Sequence, residues 1–134
     1  MNTTIHPIRK AAFLLFTFTF FISCKDKTET PKNYTGSMMF WQTKVTRDKY
    51  MNLGVGSNYK IFIRGKELGN LGMGVFWNIA PDCRADGAPV FDFELGDKKE
   101  ETMQLQIRKQ SDNDIIIDDI ITVKNGVCGK YEIK

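Results

Sequence analysis

Residues 89–109 read PVFDFELGDKKEETMQLQIRK, and the alternation in this stretch decides the fold. Phe91, Phe93 and Leu95 fall on one side of the first run, with Val90, Asp92 and Glu94 on the other. Beyond the turn at Gly96-Asp97, Met103, Leu105 and Ile107 point inward while Gln104, Gln106 and Arg108 point outward. Successive side chains of a strand leave opposite faces, so a period of two marks strands that bury one face and solvate the other.

Working outward, the chain breaks into similar short runs rich in β-branched and aromatic residues, punctuated by Gly, Asn and Asp. Ser37 to Thr46 is predicted as a first strand, with Met39, Trp41, Thr43 and Val45 sharing a face. Tyr59 to Arg64 and Glu67 to Leu71 are predicted as a hairpin, its two-residue loop Gly65-Lys66 suiting a type II′ turn. Gly74 to Ile79 reads as a further short strand, followed by the loop Ala80-Pro81-Asp82-Cys83, where Pro81 has no ladder donor. Ile115 to Lys124 and Val127 to Lys134 flank Asn125-Gly126, the strongest hairpin signal in the chain. No segment after residue 35 carries a helical period. The expected fold is a single, all-β antiparallel sandwich of about seven strands over residues 36–134.

Upstream, Arg9 and Lys10 precede the apolar run Ala11 to Ile22, which ends at Ser23 and Cys24 before the charged Lys25 and Asp26. That order is the order of a signal peptide. The run is about 12 residues, where roughly 20 are needed to span a bilayer. Phe13, Leu14, Leu15, Phe16, Phe18, Phe20 and Phe21 also point in every direction around a helix axis, unlike the single stripe of a helix packed on a core. Nothing from Ile22 to Lys27 offers ordinary signal peptidase its two small residues. Ser23-Cys24 instead resembles the lipobox of bacterial lipoproteins, whose cysteine is diacylated and becomes the mature N-terminus. Phe21 and Ile22 depart from the commonest lipobox residues, as in the looser lipoboxes of Bacteroidota. The resemblance implies a signal over residues 1–23, a lipidated Cys24, and a short disordered tether within 24–35. Two or more acyl chains make such an anchor stable. Lys25 and Asp26 also resemble the short export signal that sends some of these lipoproteins to the outer face of the outer membrane. A solvated tether has the same composition.

Assigning Cys24 to lipid leaves Cys83 and Cys128 of the three cysteines. Outside the cytosol that pair is expected to oxidise, closing a loop worth roughly 3 to 4.7 kcal/mol in the chain-entropy model. A metal site is the rival reading, but two thiolates without histidine make a poor zinc set. Residues 1–23 hold Arg9 and Lys10, two of the 19 basic residues, and none of the 16 acidic ones, leaving 17 against 16. A near-neutral domain with dispersed Lys and Arg gives no footprint for nucleic acid.

The Met39-Phe40-Trp41 strand, Ile61-Phe62-Ile63-Arg64-Gly65-Lys66 with Gly69, Ala80-Pro81-Asp82-Cys83 and Asn125-Gly126-Val127-Cys128 together resemble the short uncharacterised lipoproteins of Bacteroidota. Those carry one small sandwich similar to transthyretin-like and carboxypeptidase-regulatory-like modules. The resemblance implies a fold and an address, with no activity attached.

The only histidine is His6, so the expected mature chain lacks Ser-His and Cys-His catalysis and His-ligated metal sites. Gly69, Gly72 and Gly74 sit among strands rather than in a phosphate-cradling loop before a helix. Asp92 and Glu94, two residues apart on one strand face, lie roughly 6.8 Å from each other, within the range of a glycosidase carboxylate pair. The polar outer face of any antiparallel strand looks the same. Asp112, Asp114 and Asp118, with Asn113 and Asp119, form the densest acidic cluster and a candidate calcium site, although Asx-rich turns are common without metal. Trp41, Trp77, Tyr50 and Tyr59, with Tyr131, are candidates for an aromatic ligand surface, against packing in the core. The expected protein is an exported, lipid-anchored outer-membrane or cell-surface module that binds another envelope protein, a peptide or a glycan, without cofactor. A carboxylate-dependent glycan-processing enzyme and a purely structural lipoprotein are the alternatives.

Overall fold

The computed structural model describes residues 32–134, so residues 1–23, Cys24 and most of the expected tether lie outside it. Seven strands and one helix follow in chain order: β1 (Tyr34–Gln42), α1 (Lys44–Asn52), β2 (Asn58–Ile63), β3 (Lys66–Gly72), β4 (Val90–Gly96), β5 (Glu100–Lys109), β6 (Ile115–Lys124) and β7 (Cys128–Ile133). β1 starts inside the span read as tether. The strands form a three-stranded sheet in the order β4-β1-β7 and a four-stranded sheet in the order β3-β2-β5-β6. The fold is an all-β sandwich, with one departure from an all-antiparallel design: β1 and β7 run parallel, Ser37 opposite Cys128 through Gln42 opposite Ile133.

The period-two pattern places the core as expected. Met103, Leu105 and Ile107 of β5 meet Ile61 and Ile63 of β2 on the inner face of the four-stranded sheet, with Leu95, Ile121 and Val123 around them. From the other sheet, the buried Phe40 packs edge-on to Phe91 at 5.9 Å and against Tyr131 at 5.7 Å. At Gly36 the two sheets approach closely: a Cβ there would meet the Lys124 carbonyl and a Val123 methyl, so no larger residue fits without a shift.

Strand β1 is buried on both faces. Met38 and Phe40 face the core, and Met39 and Trp41, from the opposite face, are also buried. The segment 73–89 crosses that outer face, where Gly74 to Ile79 forms no strand. It is held by Phe40 N–H donating to Pro89 O, Trp77 N–H donating to Gln42 O, and the Cys83–Cys128 disulfide, whose Cα atoms are 6.3 Å apart. The Gln42 amide explains why a loop wins there. Fully buried, it donates to the carbonyls of Gly72 and Val75 and accepts the Tyr59 hydroxyl at 2.9 Å, so the Val75 carbonyl bonds a side chain instead of a neighbouring strand.

Three further expectations are corrected. Residues 43–46 do not continue β1: the Thr43 side chain accepts the Thr46 N–H at 3.2 Å and caps α1. Only Thr46 and Tyr50 of that helix are buried, one turn apart, too narrow a stripe to show as a period. The β2–β3 turn is centred on Arg64 and Gly65, both at positive φ, which makes it type I′ rather than II′. Asn125-Gly126 does make a tight turn, with Val127 N–H donating to Lys124 O at 3.2 Å, but it carries the chain from one sheet to the other. Gly126 N–H donates to Thr35 O and Asn125 Oδ1 accepts Thr35 N–H, which directs β7 alongside β1. The two alternating runs of residues 89–109 are likewise split, β4 pairing with β1 and β5 with β2 and β6.

Candidate functional site

Strand β6 is an edge of the four-stranded sheet, and its middle, Asp118-Asp119-Ile120, has a cleft on each side. On the outer sheet face a cleft of about 600 Å³ is lined by Thr102, Met103, Gln104, Asp118, Asp119 and Ile120. Towards β7 a second cleft, of about 390 Å³, is lined by Ile117, Asp119, Lys130, Tyr131, Glu132 and Lys134. Asp119 lines both.

The β5–β6 register builds the first cleft. Thr102 lies opposite Thr122, Gln104 opposite Ile120, and Gln106 opposite Asp118. The Asp118 carboxylate accepts the Gln104 amide on one oxygen at 2.9 Å and the Gln106 amide on the other at 3.1 Å. Arg108 donates to Gln106 Oε1 at 2.5 Å and lies over the Phe62 ring at 4.4 Å. Thr102 and Thr122 share a hydrogen bond of 3.2 Å one row further along. Beside this polar row Ile120 stands 68 % exposed.

The second cleft is organised by Asp119, the charged residue of β6 that faces the gap between the sheets. Its carboxylate accepts the Tyr131 hydroxyl at 2.9 Å and the Ile120 backbone N–H at 2.7 Å. A charge set inward on an edge strand, consuming an edge N–H, blunts the edge against a further strand. Burial and the Asp119 bond together push the Tyr131 hydroxyl pKa well above its ordinary value. The phenol therefore stays a donor to Asp119.

The residues singled out from sequence are distributed differently. Cys83 and Cys128 are joined. Trp41, Tyr50 and Tyr59 are buried and form no ligand surface: Tyr50 packs edge-on to Tyr59 at 5.6 Å and donates to the Lys134 carbonyl, while Tyr59 donates to Gln42. Trp77 is half-buried in the crossing segment. The acidic cluster is not assembled for calcium. Asp112 accepts the Asp114 N–H in an Asx turn, Asp118 is spent on two glutamines, and no group of three or more metal-ligating side chains occurs among the described residues. Asp92 and Glu94 are exposed on β4, at the far edge of the other sheet, where Asp92 accepts the Ser37 hydroxyl at 2.6 Å.

Gln104, Ile120 and the Tyr131–Asp119 bond carry the site; the sequence marks Tyr131 as a candidate aromatic and Asp119 as part of the acidic cluster without joining them, and gives Gln104 and Ile120 no role. The outward alternation of Gln104 and Gln106 was the available signal, but their meeting with Asp118 depends on the register across the 110–114 turn, shifted by an irregularity at Ile107/Arg108. Comparison with protein-family models, with curated proteins and with solved structures finds no match to this chain.

Proposed function

We propose that this chain is an exported lipoprotein, anchored in the outer membrane through Cys24, whose sandwich serves the envelope as a non-enzymatic binding module working through the β6 clefts. The observation that carries this reading is the placement of the clefts relative to the chain's entry. Tyr34 enters the sandwich beside Gly96, and Gly126 N–H bonds Thr35 O at the same end. Ile120 lies four residues up β6 from Lys124, about 14 Å from that end along the strand. Residues 24–33 reach at most about 36 Å when extended. Both clefts thus lie away from the end of the sandwich at which the chain enters. The likeness of Ser23-Cys24 to a lipobox and the signal-like order of residues 1–23 support the anchor.

The test is fractionation of cells expressing the full chain and its Cys24→Ser variant. The parent chain is expected in the membrane pellet and released only by detergent, and the variant is expected out of it. A Cys24→Ser chain that sediments with membranes as fully as the parent contradicts the reading.

A further inference from the structure

We infer that the cleft on the outer face of β5 and β6 is a saccharide site, with Gln104 and Ile120 as its reading residues. The inference rests on the binding-module reading above and names the ligand class for its site.

The cleft offers donors and acceptors side by side next to an apolar surface. Gln104 gives one amide hydrogen to Asp118 and keeps the other, together with its carbonyl oxygen, as a neighbouring donor and acceptor. The hydroxyls of Thr102 and Thr122, one row away, can each serve in either role. Adjacent hydroxyls on a sugar ring present that same alternation of donor and acceptor. The ring's C–H face needs an apolar partner, and Ile120, opposite Gln104 and 68 % exposed, supplies one at the rim. Three successive outer rows, Gln106/Asp118, Gln104/Ile120 and Thr102/Thr122, extend about 14 Å along the strands, enough for a short oligosaccharide.

Two other occupants fit less well. A cation would need free carboxylate, yet each oxygen of Asp118 already accepts a glutamine amide. Asp118 therefore works as the anchor that fixes two amides in place. An added peptide strand would need the β6 edge donors, and the Ile120 N–H is taken by Asp119. Ordering three long side chains on an open surface costs rotamer entropy that exposed hydrogen bonds barely return. Pre-organisation of this kind is repaid when a ligand binds without a further ordering cost.

The experiment uses the full lipidated chain in detergent micelles against an array of immobilised hexasaccharides: α-1,4-glucan, β-1,4-glucan, β-1,3-glucan, β-1,4-xylan and β-1,4-linked N-acetylglucosamine. At least one is expected to bind the parent chain. Gln104→Ala and Ile120→Asp, both at exposed positions, are each expected to weaken that binding about tenfold or more at unchanged melting temperature, and Arg84→Ala, on the crossing segment, to leave it unchanged. Silence of the whole array overturns the saccharide assignment, as does binding that Gln104→Ala and Ile120→Asp leave intact. Either failure is separate from failure of the anchored-module reading, which shows in Cys24→Ser fractionation and not on the array.

Discussion

Tyr131 donates its hydroxyl proton to Asp119 at 2.9 Å, tying β7 of one sheet to β6 of the other at the open edge of the sandwich. The partner bond deep inside is Tyr59 to Gln42 at 2.9 Å. Both phenols are held neutral. Burial raises the Tyr59 pKa first and the neighbouring Tyr50 second, while burial and then Asp119 raise that of Tyr131. A pKa raised on folding means that the folded state keeps protons which the unfolded chain has lost. The stability from these groups is whole below the unfolded tyrosine value near pH 10 and declines as pH rises above it. Urea unfolding from about pH 9 to pH 11 is expected to show a steep loss of stability in the parent chain and a shallower one in Tyr59→Phe and Tyr131→Phe. Equal slopes in all three would contradict the assignment.

Gln42 is the one side chain that satisfies β2, the β3 end and the crossing segment together. Its replacement by Ala strands the buried Tyr59 hydroxyl, removes the bond to the Val75 carbonyl and leaves a small void. A loss of about 2 to 4 kcal/mol is expected in chemical denaturation, far above the effect of an exposed substitution such as Lys66→Ala.

Two glycines separate backbone crowding from side-chain crowding. A methyl at Gly36 meets the Lys124 carbonyl, which can yield only if the sheets part, whereas a methyl at Gly129 meets the flexible end of Met38. Gly36→Ala is expected to cost about 2 kcal/mol or more, and Gly129→Ala distinctly less. Thermal melts of the two variants side by side check the order.

The disulfide pins the crossing segment over Met39 and Trp41, and its 45-residue loop is long. Cys83→Ser/Cys128→Ser is expected to lose about 4 kcal/mol in denaturant unfolding. Its tryptophan fluorescence should shift toward that of exposed indole as segment 73–89 loosens. Unchanged stability would place the segment's anchorage in the Phe40–Pro89 and Gln42–Trp77 backbone bonds and the Gln42 amide bond to Val75.

What could be read from the chain follows from the range of the forces that write it. The bounds of β4, β5 and β6 nearly coincide with the runs read from Pro89 to Lys124, because alternation is a local signature of a half-buried strand. Sheet membership is not local. Asn125-Gly126 makes the same tight turn whether it closes a hairpin or rounds a corner, and the choice depends on Thr35, ninety residues away. The helix at Lys44–Asn52 hides because Thr46 and Tyr50 alone bury themselves. The same limit shapes the candidate site. That Gln104 faces outward was legible. Its fixation by Asp118 depends on the β5–β6 register beyond the turn, and the bond from Tyr131 to Asp119 on β7 leaving β6 for the other sheet.

The account stands on a division of three cysteines: Cys24 to lipid, and Cys83 with Cys128 to each other. Intact mass of the protein extracted from membranes, measured before and after reduction, tests that division most directly. The expected mass is residues 24–134 carrying acyl and glyceryl groups on Cys24, less two hydrogens that reduction restores. A mass that retains residues 1–23, or one with no lipid on Cys24, would contradict it.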